Sequence, residues 1–232
     1  MLLTIIVVVV VSGALLAGAA WGIYGQLPKP LEGFIVALAG GALMVSAVLE
    51  LIEPAMQEAP LWEAFTFVLL GAAVFTGLDY LVKKKWGSGK GGGLLAAITL
   101  DGIPENLALG VALIGAGPLQ VAALAGSILL SNLPEAAGGA KEMAKSGASK
   151  GKIFALWTAT AVLLSIAALA GNIFMTDVPK EVLSLIQCFA GGAVVASLAT
   201  EVFPKAFKED AYWAGIATSI GLILALYLDQ LA

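Results

Sequence analysis

The chain has 232 residues, of which 60% are hydrophobic and only 12% are charged, and its mean hydropathy is +0.98. A soluble domain carries about 25% charged residues, so this composition predicts an integral membrane protein that is solvated mainly by the lipid bilayer. The net charge of −4 offers no basic surface for nucleic acid, and the absence of histidine excludes Ser-His catalysis and imidazole metal ligands.

Hydropathy divides the chain into eight apolar stretches of about 20 residues, the length that a ~30 Å hydrocarbon core requires. Because the connections are short and rich in Gly, Pro and Lys, we predict one polytopic domain over residues 1–232. The first stretch lacks the positively charged N-terminal region of a signal peptide, so we expect it to be a retained helix. The predicted helices are Leu2–Tyr24, Leu31–Ile52, Glu63–Val82, Gly93–Ile114, Gln120–Ala140, Ile153–Met175, Val182–Phe203 and Tyr212–Gln230.

Lysines fall at alternate connections. Eleven of the twelve lie on one predicted side, and only Lys180 lies on the other. By the positive-inside rule the lysine-rich side is cytoplasmic, which predicts a multi-pass protein of the cell (inner) membrane with both termini outside. Asp79, one turn before the run Lys83–Lys85, is predicted to be a solvated helix end.

Two of the apolar stretches carry the same short motif. Ile103-Pro104-Glu105 recurs thirty positions later as Leu133-Pro134-Glu135. A carboxylate at mid-membrane depth costs about 2.5–3.5 kcal/mol on insertion scales and is a functional-site hypothesis by default. Each proline also removes the helical partner of the carbonyl four residues earlier, at Leu100 or Leu130. Two acids and two free carbonyls at one level predict an oxygen-lined cation site.

The spacing around these motifs extends the predicted site. Asp101 precedes Glu105 by four residues, and Ser131 precedes Glu135 by four, so each pair shares a helical face. With Asn132, the set supplies three carboxylates, a hydroxyl and an amide. An all-oxygen shell suits Mn²⁺, Mg²⁺ or Fe²⁺, and Zn²⁺ also accepts carboxylates. Two alternatives stay open: Asp101 as a helix N-cap, and Ser131 and Asn132 as interhelical hydrogen-bonding residues.

A longer internal repeat lies 151 positions apart. The copies share an AGGA motif, a serine and a glutamate: Ala39–Ala42, Ser46 and Glu50 in the first, and Ala190–Ala193, Ser197 and Glu201 in the second. The first copy lies on a helix predicted to run outward and the second on one predicted to run inward. Inverted repeats of this kind occur in many secondary transporters. They predict Glu50 near the outer mouth and Glu201 near the inner one, as further metal ligands or as solvated residues at the interfaces.

The segments DGIPE (101–105) and SNLPE (131–135) resemble the His-Asn-x-Pro-Glu/Asp-Gly and His-x-x-Pro-Glu signatures of the ZIP (Zrt/Irt-like) family of divalent-metal transporters. The resemblance implies an all-α fold of eight transmembrane helices in a 3+2+3 arrangement with inverted repeats. It also implies a homodimer that imports metal (Zn, Mn, Fe or Cd) toward the cytoplasm. The metal would bind between the fourth and fifth helices and move by alternating access, with helices one, four, five and six passing a frame of two, three, seven and eight.

The chain departs from the family pattern at the expected ligands. Asp101 and Ser131 stand where the family has histidine, and Gly102 replaces an asparagine. The sixth predicted helix contains no acid, which favours one central metal over two. The implied metal-ligand set is Asp101, Glu105, Glu135, Ser131 and Asn132, with Glu50 and Glu201 toward the two ends.

Two other functions compete with transport. Loss of both signature histidines leaves open a non-transporting relative that acts as a metal sensor or a structural membrane protein. An intramembrane aspartyl protease needs two facing aspartates, for which the chain offers Asp101 and, at a helix end, Asp79. The leading interpretation is a transporter and not an enzyme.

Overall fold

A computed structural model describes residues 2–25, 28–86, 91–117 and 121–231. Over these ranges the chain is helical and contains no β-strand, which confirms the all-α prediction. The predicted helix start at Gln120, and Lys90, lie outside the described residues. We number the helices α1 Leu2–Tyr24, α2 Lys29–Glu58, α3 Leu61–Trp86, α4 Gly91–Ala112, α5 Ala122–Lys145, α6 Lys150–Phe174, α7 Lys180–Glu209 and α8 Ala214–Asp229.

Five of these helices, α1, α2, α3, α6 and α7, are long and apolar enough to cross a membrane. Helix α8 is apolar but shorter, and α4 and α5 contain the polar motif residues. Large apolar side chains cover the outer surface, among them Val9, Leu69 and Ile223, each at least 61% exposed. Water would disfavour such a surface, whereas lipid solvates it. The fold is that of a helical membrane protein.

The helices pack as two groups. In the first group, α2 lies along α8, α3 lies along α7, and α2 contacts α7. In the second group, α1 lies along α5, α4 lies along α6, and α1 contacts α6. The groups meet where α2 packs on α5 and α7 packs on α4, so the two motif-bearing helices face the first group. This grouping has the symmetry that an inverted repeat predicts, with α1–α3 equivalent to α6–α8 and α4 equivalent to α5.

Close glycine contacts repeat in both halves of the first group. At each one, a Cβ added to the glycine would lie 1.9–2.0 Å from a backbone carbonyl oxygen of the neighbouring helix. The glycine–carbonyl pairs are Gly41 with Thr218 and Gly221 with Leu38 between α2 and α8, and Gly192 with Val68 and Gly71 with Phe189 between α7 and α3. Only glycine permits this approach, so the equivalent helix pairs of the two repeats are packed in the same way.

Helices α2 and α7 each contain a wide, π-helical turn followed by a proline. The turn, its glutamate and the proline are Ala47–Ile52, Glu50 and Pro54 in α2, and Leu198–Val202, Glu201 and Pro204 in α7. In both, the N–H of the residue directly before the proline donates to the carbonyl five residues earlier: Glu53 to Val48 in α2, and Phe203 to Leu198 in α7. Proline has no N–H to donate, and the wide turn accommodates this loss without ending the helix. Each helix therefore continues past its predicted end at Ile52 or Phe203. The predicted ends were therefore wrong by six residues in each case.

Candidate functional site

The motif carboxylates of α4 and α5 are buried or half-buried in the protein. Asp101 is 8% exposed and Glu105 is 6% exposed, while Glu135 on α5 is half-buried. The carboxyl group of Glu105 lies within electrostatic range of those of Glu135 and Asp101. Pro104 lines a separate, apolar cavity with residues of α3 and α7. The proline and Asp101 of α4 therefore line different cavities.

The two polar residues of the α5 motif have different partners. The Ser131 hydroxyl donates to Glu135 Oε1 at 2.5 Å, which confirms that these residues share one face. Asn132 Nδ2 donates instead to the carbonyl of Val11 on α1, at 3.3 Å. The amide therefore takes the interhelical role left open by the sequence, and metal ligation by Asn132 stays a prediction.

A small cavity of about 40 Å³ lies where the two helix groups meet. Its lining residues are Val36 from α2, Ile98 and Asp101 from α4, Glu135 from α5, and Glu201, Val202 and Lys205 from α7. Asp101 Oδ1 and the Ser197 hydroxyl near it have no hydrogen-bond partner of normal geometry among the described residues. Unpaired buried polar atoms are rare and costly, so this cavity has unmet capacity for a ligand. We call it the inner cavity because Lys205 and Glu201 lie toward the lysine-rich end.

The ion pairs of Lys83 at this end were not anticipated from the sequence. Lys83 lies 2.9 Å from Asp79 Oδ2 and also pairs with Glu201 across α3 and α7. Asp79 is only 6% exposed, so its prediction as a solvated helix end was wrong: packing of α3 on α7 buries it and Lys83 neutralises it. The four-residue spacing of Asp79 and Lys83 was the available signal, whereas the contact with Glu201 depends on tertiary packing.

Glu50 lies apart from the inner cavity. It lines a second cavity of about 650 Å³, together with Pro54, Leu183, Gln187 and Asp229. Both carboxylate oxygens of Glu50 lack a hydrogen-bond partner among the described residues, although the Ser46 hydroxyl lies near them. We call this the outer cavity, since it opens at the predicted extracellular ends of α2 and α7. The structure therefore separates the predicted ligands Glu50 and Glu201 into two cavities.

Asn106 is a further residue that sequence reasoning missed. It follows Glu105, is 1% exposed, and its Nδ2 donates to the carbonyl of Gly102 at 2.8 Å. Its side-chain oxygen has no hydrogen-bond partner among the described residues. That oxygen adds a neutral acceptor to the acids of α4.

In this conformation the acids do not form a closed metal cluster. No group of three Asp, Glu or Cys side chains within the described ranges is close enough to hold a metal ion. Asp101 and Glu135 line the inner cavity, Glu105 does not line it, and Glu201 is paired with Lys83. Bringing a third carboxylate to Asp101 and Glu135 requires movement of Glu105 or release of Glu201.

Comparison of the sequence with models of known protein families gives no match, and comparison with characterised proteins gives no significant similarity. A functional assignment therefore depends on the chemistry and geometry of the chain's own residues. The features available for it are the buried carboxylates of α4 and α5, the two cavities, and the inverted repeat.

Proposed function

We propose that this chain is a divalent-cation transporter with a ZIP-like arrangement of eight membrane-spanning helices. The metal ion is the substrate and binds at the carboxylates between α4 and α5. It moves toward the cytoplasm by alternating access. The protein lies in the cell (inner) membrane as a homodimer with both termini outside, and it is not an enzyme.

One observation carries the proposal: the carboxylates of two equivalent helices come together where the two helix groups meet, and two of them line the inner cavity. Asp101 and Glu105 on α4 and Glu135 on α5 are within electrostatic range of one another. Uncompensated acids at this depth are expensive unless they serve an ion pathway. A cation that neutralises them accounts for their presence, and the outer cavity supplies an approach route that reaches Glu50.

The ligand chemistry favours hard divalent cations. The side chains near the site offer carboxylate oxygens and the hydroxyl of Ser131, and the described residues that line the inner cavity include no cysteine or methionine. Oxygen ligands suit Mn²⁺ and Fe²⁺, and Zn²⁺ and Cd²⁺ remain acceptable because both also bind carboxylates.

The packing of the helices supports alternating access. Within the second group, side-chain hydrogen bonds tie α1, α4, α5 and α6 together. The Ser165 hydroxyl donates to Ser12, and the Thr4 hydroxyl donates to Asn172 Oδ1. The amide groups of Asn172 and Asn132 donate to the carbonyls of Gly110 and Val11. Within the first group, ion pairs tie helices together: Lys29–Glu209, Lys205–Glu32, Lys83–Glu201 and Lys180–Glu58. Each group therefore has the internal connections of a body that moves as a unit.

The test is metal uptake by the purified protein in proteoliposomes. Saturable entry of Mn²⁺, Fe²⁺, Zn²⁺ or Cd²⁺ is expected, and Glu105→Gln and Glu135→Gln should reduce it to the rate of protein-free vesicles. Glu142→Gln is the matched control, because Glu142 lies partly exposed at the far end of α5, where it pairs with Lys145. It should transport as the wild type does.

Three results would contradict the proposal. Wild-type flux equal to that of protein-free vesicles for all four metals would exclude transport of these ions. Metal binding without flux would favour the sensor. Cleavage of a membrane-spanning peptide that depends on Asp101 would favour the protease, although Asp79 is already engaged by Lys83.

A further inference from the structure

The outer and inner cavities are built from equivalent positions of the inverted repeat. Three lining positions of the outer cavity have counterparts, 151 residues away, at or beside the inner one: Glu50 with Glu201, Leu183 with Glu32, and Gln187 with Val36. Asp229 likewise corresponds to Asp79 at an offset of 150 residues, and each of these aspartates lies within electrostatic range of the glutamate in its own half. The inner cavity is therefore the closed counterpart of the outer one.

The two halves differ in charge where they differ in openness. Leu183 borders about 650 Å³ of space in the outer half. Its counterpart in the inner half, Glu32, forms an ion pair of 3.2 Å with Lys205, and the cavity beside this pair is about 40 Å³. The inner half thus carries an ion pair at a position where the outer half has the apolar side chain of Leu183.

Lys205 lies between two sets of carboxylates. Its ammonium pairs with Glu32, while its side chain lines the inner cavity with Asp101 and Glu135. Glu135 lies within electrostatic range of Lys205. The Glu32–Lys205 pair also packs directly against the backbone of α5 at Gly138. A Cβ added to this glycine would lie 2.5 Å from Glu32 Oε1 and 3.1 Å from Lys205 Nζ. The lysine is therefore held against the helix that carries Glu135, three residues beyond it.

We propose that Lys205 is a tethered cation that competes with the transported metal for the carboxylates of the inner cavity, and that Glu32 is its alternative partner. This inference rests on the proposed function. While paired with Glu32, the ammonium also lines the inner cavity and supplies positive charge to Asp101 and Glu135. A metal ion bound at these carboxylates repels the ammonium, and the pairing with Glu32 holds the ammonium away from the ion.

The two partners of this ion pair have opposite predicted effects on metal affinity. Lys205→Gln removes the competing charge and should tighten Mn²⁺ or Zn²⁺ binding by about tenfold or more. Glu32→Gln removes the alternative partner, directs the ammonium toward the cavity and should weaken binding by about tenfold. Lys205→Arg keeps the charge and should bind like the wild type. Lys208→Gln is the control, since Lys208 is exposed one turn further along α7.

Affinity is measured by competition between the purified protein in lipid nanodiscs and a fluorescent chelator, with Mn²⁺ and Zn²⁺ as the metals. Melting temperature and size-exclusion profile report whether each variant folds. In proteoliposomes, Lys205→Gln should lower KM and lower kcat together, because a tighter site releases its ion more slowly.

The opposite changes in metal affinity expected for Lys205→Gln and Glu32→Gln distinguish competition with the metal from a structural role of the ion pair. If Lys205→Gln and Glu32→Gln change affinity in the same direction, or if either folded variant binds as the wild type does, the inference is overturned. Glu32→Gln retains every lysine, so it tests the inference even if Lys205→Gln does not fold. Failure of the wild type to bind any divalent metal would instead overturn the proposed function.

Discussion

Substitution of Gly192 by alanine tests the packing of the helix frame. The added Cβ would lie 2.0 Å from the carbonyl oxygen of Val68 and 2.7 Å from its carbon, whereas real Cβ contacts essentially never fall below 3.0 Å. Because both obstructing atoms are backbone, no side chain can rotate away, and α3 and α7 must separate by about 1 Å. A gap of that size forfeits about a quarter to a half of the dispersion energy of each contact along the seam.

The expected loss follows from two opposing effects. Overpacking of this kind costs about 1–3 kcal/mol, and the better helix propensity of alanine returns about 0.5–1 kcal/mol. Gly192→Ala should therefore lower the free energy of unfolding by about 1–2 kcal/mol. Gly41→Ala should do the same, since its Cβ would lie 2.0 Å from the carbonyl oxygen of Thr218 in the equivalent helix pair.

Gly77 provides the control on the same helix pair. A Cβ there has no heavy atom within 4 Å, so Gly77→Ala should be neutral or stabilising by up to about 1 kcal/mol. The measurement is reversible unfolding by SDS in mixed micelles, followed by circular dichroism. Equal stability of Gly192→Ala and Gly77→Ala would show that α3 and α7 do not approach as closely as described.

Three further outcomes are expected. Metal affinity should fall when the pH is lowered from about 7.5 to about 5, because protons and metal compete for the same carboxylate oxygens; a pH-independent affinity would contradict carboxylate ligation. Ser131→Ala should destabilise the protein by about 1–3 kcal/mol, because it removes the donor to Glu135, and an unchanged melting temperature would contradict that contact. Lys83→Met should cost about 1–2 kcal/mol by leaving the buried Asp79 and the half-buried Glu201 without this partner, whereas Lys84→Met, at an exposed position, should cost little, and equal melting temperatures would argue against the ion pairs.

The sequence predicted most of the helices because hydropathy over about 20 residues is a local property. It failed at Ile52 and Phe203, where the predicted helices end just before Pro54 and Pro204. A proline normally disrupts an α-helix, but a wide turn accommodates the missing N–H, and the choice between these outcomes depends on packing of α2 against α7. The repeat itself was visible in the matching AGGA motifs and glutamates.

Prediction of the site was less complete, for a physical reason. Four-residue spacing identified Ser131 with Glu135, a contact within one helix. The ion pairs of Lys83 with Glu201 and of Lys205 with Glu32 join residues far apart in the sequence. Such pairs depend on which helices are neighbours, and positive charge near a helix end is ordinarily explained by the membrane surface alone. The cations nearest the carboxylates were therefore assigned to topology and not to the site.

The reciprocal glycine contacts have a consequence for the direction of the proposed transport. A carrier whose halves were identical would rest with no preference for either face of the membrane. In the proposed transporter the glycine-packed frame is the same in both halves, so a resting preference must come from positions at which the copies differ, such as Leu183 against Glu32 beside the two cavities. Exchanging these two residues between the halves is a direct test of what decides which face stands open.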